Sequence, residues 1–299
     1  MSRRNVSFLK GVFVTRTWFI TGANRGLGRA FTEAALAHGD HVIGTARDPH
    51  TLADLAQERL TVLPLDVRDR DRVQATVQQA VEVTGALDII VNNAGYGLVG
   101  AVEEFGEAEI RDQLDTNFYG AVWVCQAALP HLRARGSGHI VQVSTVGAVG
   151  SMPLFGMYNA GKWALEGFSA ALADELRPFG VAVTIAQLGG FATDWAGSSM
   201  RFATAHPAYA DLRTAILGTP DYPDPHAAPT GPAEPEQAAE PEWVDADPAV
   251  AAAAVLELVD LSDPPLRTII GPGARQMVAM ALDQRRLDYS RDPEFQWPA

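Results

Sequence analysis

The sequence predicts one doubly wound α/β domain, with about seven parallel strands and helices on both faces of the sheet. Three observations predict it. Short runs rich in β-branched residues alternate with longer runs whose apolar residues recur at helical spacing. The first strand-like run leads directly into a glycine-rich turn, "TGANRGLG". The chain's 299 residues, 47% of them apolar, supply one large core. Strand–helix–strand repetition implies parallel pairing, and a parallel sheet needs cover on both faces.

The predicted strands are "TWFIT" (17–21), "HVIGTA" (41–46), "TVLPLDV" (61–67), "LDIIVNNA" (87–94), "HIVQVST" (139–145), "VAVTIAQL" (181–188) and "LRTIIG" (266–271), each bounded by Gly, Asp or Pro. Helices are expected over 27–38, 70–83 and 158–179. Residues 1–16 read as an N-terminal extension, 17–290 as the domain and 291–299 as a tail. Within the domain, 219–248 are rich in Pro, Ala and acid with little to bury, so 195–248 are expected to form a flexible insertion serving as a substrate lid.

A formal charge of -13 repels phosphates over most of the surface, which argues against nucleic acid or an anionic membrane as partner. One cysteine, Cys125, excludes an internal disulfide and a cysteine-rich metal site, and fits a reducing compartment. The arginines of "MSRRNVSFLK" are not followed by a long apolar segment, and no run of eighteen apolar residues occurs. A cytoplasmic location and a metal-free site are expected.

The turn after the first strand carries Gly22, Gly26 and Gly28, where backbone can approach a pyrophosphate at a helix N-terminus. A site that prefers NAD places an acid at the end of the second strand; here Ala46 and Arg47 stand there. Arg47, with Arg25 in the turn, suits a 2′-phosphate, so NADP(H) is favoured over NAD(H). Further along, Tyr158 and Lys162 lie one helical turn apart as a proton-transfer pair, and Ser144 and Thr145 compete as the accompanying hydroxyl.

"TGANRGLG", "LDV" (65–67), "NNAG" (92–95), Asn117 in "TNFYG" and "YNAGK" (158–162) occur in an order and spacing that resemble the short-chain dehydrogenase/reductase family over residues 17–290. "RTWFITG", "NNAGYGLVG" and "GKWALEGFSAALADEL" look most like its 17-beta-hydroxysteroid and retinol dehydrogenase-like branch. The resemblance implies a Rossmann-type domain that passes hydride between a nicotinamide cofactor and a ketone, aldehyde or alcohol. It implies that Asn24 and Leu27 join the glycines, Arg25 and Arg47 in holding the cofactor. Asp66 and Val67 would flank the adenine, Asn93, Ala94 and Gly95 would line the cofactor beside the fourth strand, and Gly190 and Thr193 would close the site after the sixth. Tyr158 would exchange the proton, its pKa lowered by Lys162 and the oxidised nicotinamide. Lys162 would also bond the nicotinamide ribose, and Asn117 would hold a water linking Lys162 to solvent. The family's hydroxyl usually lies thirteen residues before the tyrosine, which favours Thr145 over Ser144.

Three departures from the family stand out: Leu188 replaces a common proline before Gly189, which leaves that backbone less rigid; Gly161 replaces a common serine before Lys162; and the third concerns the hydroxyl pair, Ser144 and Thr145. Val149, Met152, Leu154, Phe155, Phe191, Trp195, Met200 and Phe202 point to an apolar or aromatic small-molecule substrate. By analogy with the family, helices over 108–132 and 158–179 would form a homodimer or homotetramer. Two other readings compete with a reductase: a catalytically silent NADP(H)-binding regulator, and a sugar-nucleotide epimerase or dehydratase. The glycine spacing counts against the last.

Overall fold

Trp18 and Ile20 face one core and Phe19 the opposite one, so β1 (Thr17–Thr21), buried along its whole length, is covered on both sides. The computed structural model describes residues 15–193, 199–223 and 245–298. The remaining strands are β2 (His41–Ala46), β3 (Leu60–Pro64), β4 (Ile89–Asn92), β5 (Leu98–Val99), β6 (Gly138–Thr145), β7 (Val181–Leu188), β8 (Arg201–Phe202) and β9 (Arg267–Ile270). Seven of them form one parallel sheet in the order β3-β2-β1-β4-β6-β7-β9. The order runs outward from β1 to β3, then resumes at β4 and runs the other way. That reversal leaves a crevice at the carboxyl ends of β1 and β4, where such sheets bind ligands. The Rossmann-type fold is therefore present, with all seven expected strands.

The helices are α1 (Gly26–His38), α2 (Arg70–Thr84), α3 (Glu107–Leu114), α4 (Gly120–Arg135), α5 (Gly156–Leu176), α6 (Ala210–Leu217), α7 (Pro248–Val259) and α8 (Ala274–Tyr289). Phe31, Ala35, Ala251 and Val255 of α1 and α7 pack against Trp18 and Ile20 on one face. Val77, Val124, Leu132 and Leu172 of α2, α4 and α5 pack against Phe19 and Ile90 on the other. Local chemistry sets the ends: on α2, Asp69 accepts from the Arg72 N–H and Gly85 closes the helix with φ 80°. Among the described residues, no helix is long and apolar enough to cross a membrane.

Three details differ from the sequence expectation. The helix expected over 108–132 is two helices, α3 and α4, joined by a π turn at Asp115–Tyr119, where the Gly120 N–H reaches back five residues to the Asp115 carbonyl. The helix expected to reach 179 stops at Leu176, because Pro178 has no N–H to continue the i→i−4 ladder and the chain tightens into a short turn over Arg177–Phe179. The described part of the expected lid, 199–223, is well packed: β8 pairs with β5, and Met200, Phe202, Leu212 and Ile216 share a small core with Val99 and Leu154. The buried Arg213 guanidinium pairs with Glu104 at 2.7 Å, and Glu104 also accepts from the backbone N–H of Ala101 and His206 and from the Tyr222 hydroxyl. Residues 195–198, including Trp195, and 224–244 of the lid segment lie outside the described residues.

Candidate active site

The glycine turn and the end of β4 are tied into one unit. Asn93 Nδ2 donates to the carbonyls of Thr21 at 2.9 Å and Gly22 at 3.1 Å, while Thr21 Oγ1 accepts from the N–H of Asn93 and Ala94. Gly28 is fixed by the close approach of α1 to this turn: a Cβ there would lie 2.1 Å from the Gly22 carbonyl oxygen. Gly22 and Gly26 sit at φ 63° and 50°, backbone that favours glycine. The turn opens onto a cleft of about 520 Å³. Asn24, Arg25, Leu27, Arg47, Asp66 and Val67 border it at one end; Asn93, Ala94, Gly95, Gly190 and Thr193 border its middle, and Ser144, Thr145, Tyr158 and Lys162 the other end. Gly28 and Asn117 stand behind the lining rather than in it.

At the end nearest β2 the charges are of two kinds. Arg68 donates to Asp66 through Nε and Nη2, which holds that carboxyl below the usual carboxylate range, and it pairs with Asp112, which the Tyr96 hydroxyl and then Arg68 hold down against burial. Asp112 also accepts from Arg201 at 2.5 Å and from the Tyr96 hydroxyl at 2.9 Å. Arg25 and Arg47, by contrast, form no ion pair with any other described residue. These two guanidinium groups are the ones open to an incoming anion.

At the other end, three consecutive residues of β6 hold three turns of α5. The Val143 carbonyl accepts from Lys162 Nζ at 2.8 Å. Ser144 Oγ donates to Glu166 Oε1 at 2.8 Å. The Thr145 hydroxyl acts on the Tyr158 phenol. Neighbours on a strand point to opposite faces, so Thr145 addresses the tyrosine while Ser144 turns into the packing beneath α5. Burial drives the Tyr158 phenol well above its ordinary range, and the Thr145 hydroxyl opposes the rise. The lowering expected from Lys162 is not seen in the protein alone, where loss of water around the phenolate dominates. Burial also pulls Lys162 down to about 8, against the opposing charge of Glu166.

Asn117, in the π turn, has its side chain committed to one backbone residue: Nδ2 donates to the Tyr96 carbonyl at 2.9 Å and Oδ1 accepts from the Tyr96 N–H at 3.0 Å. It fastens the "NNAG" loop to the base of α4. Leu188 does not loosen the backbone as expected, because it is paired with Thr145 on one side and Ile270 on the other, and the Gly189 N–H donates to the Ile270 carbonyl at 2.9 Å. Of the apolar residues expected around a substrate, Val149 packs against α8 and Leu154 into the core beneath β8. Phe191 reaches the cleft.

Sequence reasoning missed three elements. Glu166 follows Lys162 by one helical turn, a spacing that the "YNAGK" motif already places on one face. Asp245 lines the cleft opposite Gly190, after the insertion. The Glu104–Arg213 pair joins residues 109 positions apart, which no local pattern signals.

The short chain dehydrogenase family model matches residues 16–202. Oxidoreductase BOA17 of Botryotinia fuckeliana is 38% identical over 274 residues, 90% of this chain and 94% of that protein. Retinol dehydrogenase 8 of Homo sapiens is 36% identical over 193 residues, 61% of each chain. The crystal structure of a short-chain dehydrogenase from Streptomyces avermitilis superposes with a TM-score of 0.80 at 35% identity, covering 94% of this chain and 96% of that one. With the seven-stranded sheet and its glycine turn, these likenesses establish that the chain belongs to the short-chain dehydrogenase family of oxidoreductases.

Proposed function

We propose that the protein is an NADP(H)-dependent carbonyl reductase, reversible to alcohol dehydrogenase, acting on an apolar or aromatic ketone, aldehyde or alcohol. The observation that carries the reading is the convergence of Thr145, Tyr158 and Lys162 at one end of the cleft. The glycine turn fits a dinucleotide, since any side chain at Gly28 would collide with the turn that the pyrophosphate must approach. When bound, the nicotinamide supplies or accepts the hydride.

The chain's own residues supply the rest. Thr145 donates to the substrate oxygen and Tyr158 delivers its proton there, which a phenol kept protonated by burial is ready to do in the reductive direction. Lys162, held by the Val143 carbonyl, presents its ammonium to the cofactor ribose and stabilises the phenolate left behind. Arg25 and Arg47, neither of them in a carboxylate ion pair among the described residues although Arg47 acts on Asp66 through space, favour a 2′-phosphate. A relative named for retinol agrees with an apolar substrate. In this reading 17–290 act as one domain with 195–248 over the substrate end, α4 and α5 form the interface of a homodimer or homotetramer, and the enzyme works in the cytoplasm.

The test is incubation with NADPH and a panel of ketones, steroids, quinones and aldehydes while cofactor absorbance is followed. Turnover that disappears in Tyr158→Phe supports the reading. Tight NADPH binding without turnover across the panel would instead identify a regulator.

A further inference from the structure

Glu166 is a buried carboxylate that the reading above leaves idle. It stands one turn beyond Lys162 on α5 and is held from three strands: by Ser144 Oγ of β6 at 2.8 Å, by Gln187 Nε2 of β7 at 3.0 and 3.1 Å, and by Arg267 Nε of β9 at 3.3 Å. Lys162 is equally buried, and its hydrogen-bond partner is the uncharged Val143 carbonyl. An ammonium in that position loses water without gaining an ion pair, which favours its neutral form.

We infer that Glu166 is a positioning residue that keeps Lys162 charged, acting through space while its own oxygens are tethered to Ser144, Gln187 and Arg267. The tether is what makes the arrangement useful. A carboxylate free to swing onto Lys162 would form a direct ion pair and occupy the ammonium needed at the cleft. Held by β6, β7 and β9, Glu166 supplies a field and leaves the Nζ protons available. Arg267, 45% exposed, partly offsets that field from the solvent side.

The other groups around Lys162 do not duplicate this charge. On α5 the titratable neighbour is Tyr158, protonated by its burial. β6 and β7 contribute the uncharged Ser144, Thr145 and Gln187, and the π turn contributes Asn117. Across the cleft, Asp66 and Asp112 are paired with Arg68 and Arg201, and Asp245 is exposed.

The sequence makes the test unusually clean, because Lys10 and Lys162 are the chain's two lysines. Protein grown with 13C-ε-lysine therefore gives two side-chain signals, and the Lys162 titration is read directly without cofactor or turnover. Glu166→Gln keeps the shape and removes the charge, and should lower the Lys162 midpoint by on the order of one pH unit. Glu166→Asp should restore most of it. Ser144→Ala, which leaves the charge in place, should move it little. Arg267→Gln, on the solvent side, should raise it, and this arm stands even where a change at 166 prevents folding. An unchanged midpoint in Glu166→Gln, or an unchanged or lowered one in Arg267→Gln, overturns the inference. The inference rests on the reading of Tyr158 and Lys162 as the proton-handling pair, yet the titration is independent of turnover, so each can fail alone.

Discussion

Changing Ser144 and Thr145 separately should produce two different losses, because the two hydroxyls face opposite ways. Thr145→Ala removes the donor beside Tyr158; loss of one oriented donor to a developing oxyanion lowers kcat by on the order of 100-fold or more. The same change removes the acceptor for the Gly147 N–H at the start of the 146–148 turn, which costs about 1 kcal/mol. Ser144→Ala removes a hydrogen bond to the Glu166 carboxylate, still held by Gln187 and Arg267, at a cost of about 1.5–3 kcal/mol. Its kcat should stay within a few-fold of the parent while its Tm falls by a few degrees. Thr145→Ser should restore activity, since serine offers the same donor. The assay is steady-state turnover of a ketone that the parent reduces, with thermal unfolding followed by circular dichroism on the same samples. A large kcat loss in Ser144→Ala alongside an active Thr145→Ala would refute the assignment by one residue of register.

Arg47→Ala should weaken NADPH binding by roughly tenfold or more and NADH binding little, because the lost contact exists only with the 2′-phosphate; equal losses in fluorescence titrations would remove the cofactor preference. His139, buried with Nε2 2.9 Å from the Thr184 hydroxyl, has its pKa pulled down to about 4 by burial. The unfolded chain binds that proton below about 6.5 and the folded protein does not, so acidification from 6.5 to 4 should cost about 3 kcal/mol of stability. Urea unfolding at a series of pH values checks this, and His139→Gln should flatten the slope. Arg213→Met leaves Glu104 buried without its cation and should cost about 3–5 kcal/mol, read as faster hydrogen exchange across 199–223. Unchanged exchange there would mean that the small core beneath β8 holds the segment by itself.

The strands were legible because each core strand is short, rich in apolar and β-branched residues and bounded by Gly, Asp or Pro, and the cofactor turn because its glycines are forced by backbone contacts only a few residues apart. Gly22 and Gly28 form such a unit, whereas Asn93, which ties the turn to β4, is 72 positions from Thr21. Tyr158 and Lys162 share a helix face and so appear as a spacing. What escaped depends on partners distant in sequence. β5 and β8 are two residues each, too short for a period to declare itself. Glu166 looks like any helical glutamate until Gln187 and Arg267 arrive beside it. The π turn at Asn117 is invisible in periodicity, since it inserts a single register shift between two amphipathic helices.

The bridge between Phe191 and Ala246 has a consequence for how this scaffold can be altered. The Ala192 N–H donates to the Ala246 carbonyl at 2.8 Å, and the Ala246 N–H to the Gly190 carbonyl at 3.1 Å, so the chain leaves the sheet after β7 and returns to it at one stitched point. Between those positions, residues 199–223 have their own anchors in the β5–β8 pairing and the Glu104–Arg213 pair. A change in the length of chain between those two positions therefore makes no demand on the strand order, and β6 and α5, which carry Thr145, Tyr158 and Lys162, stay as built.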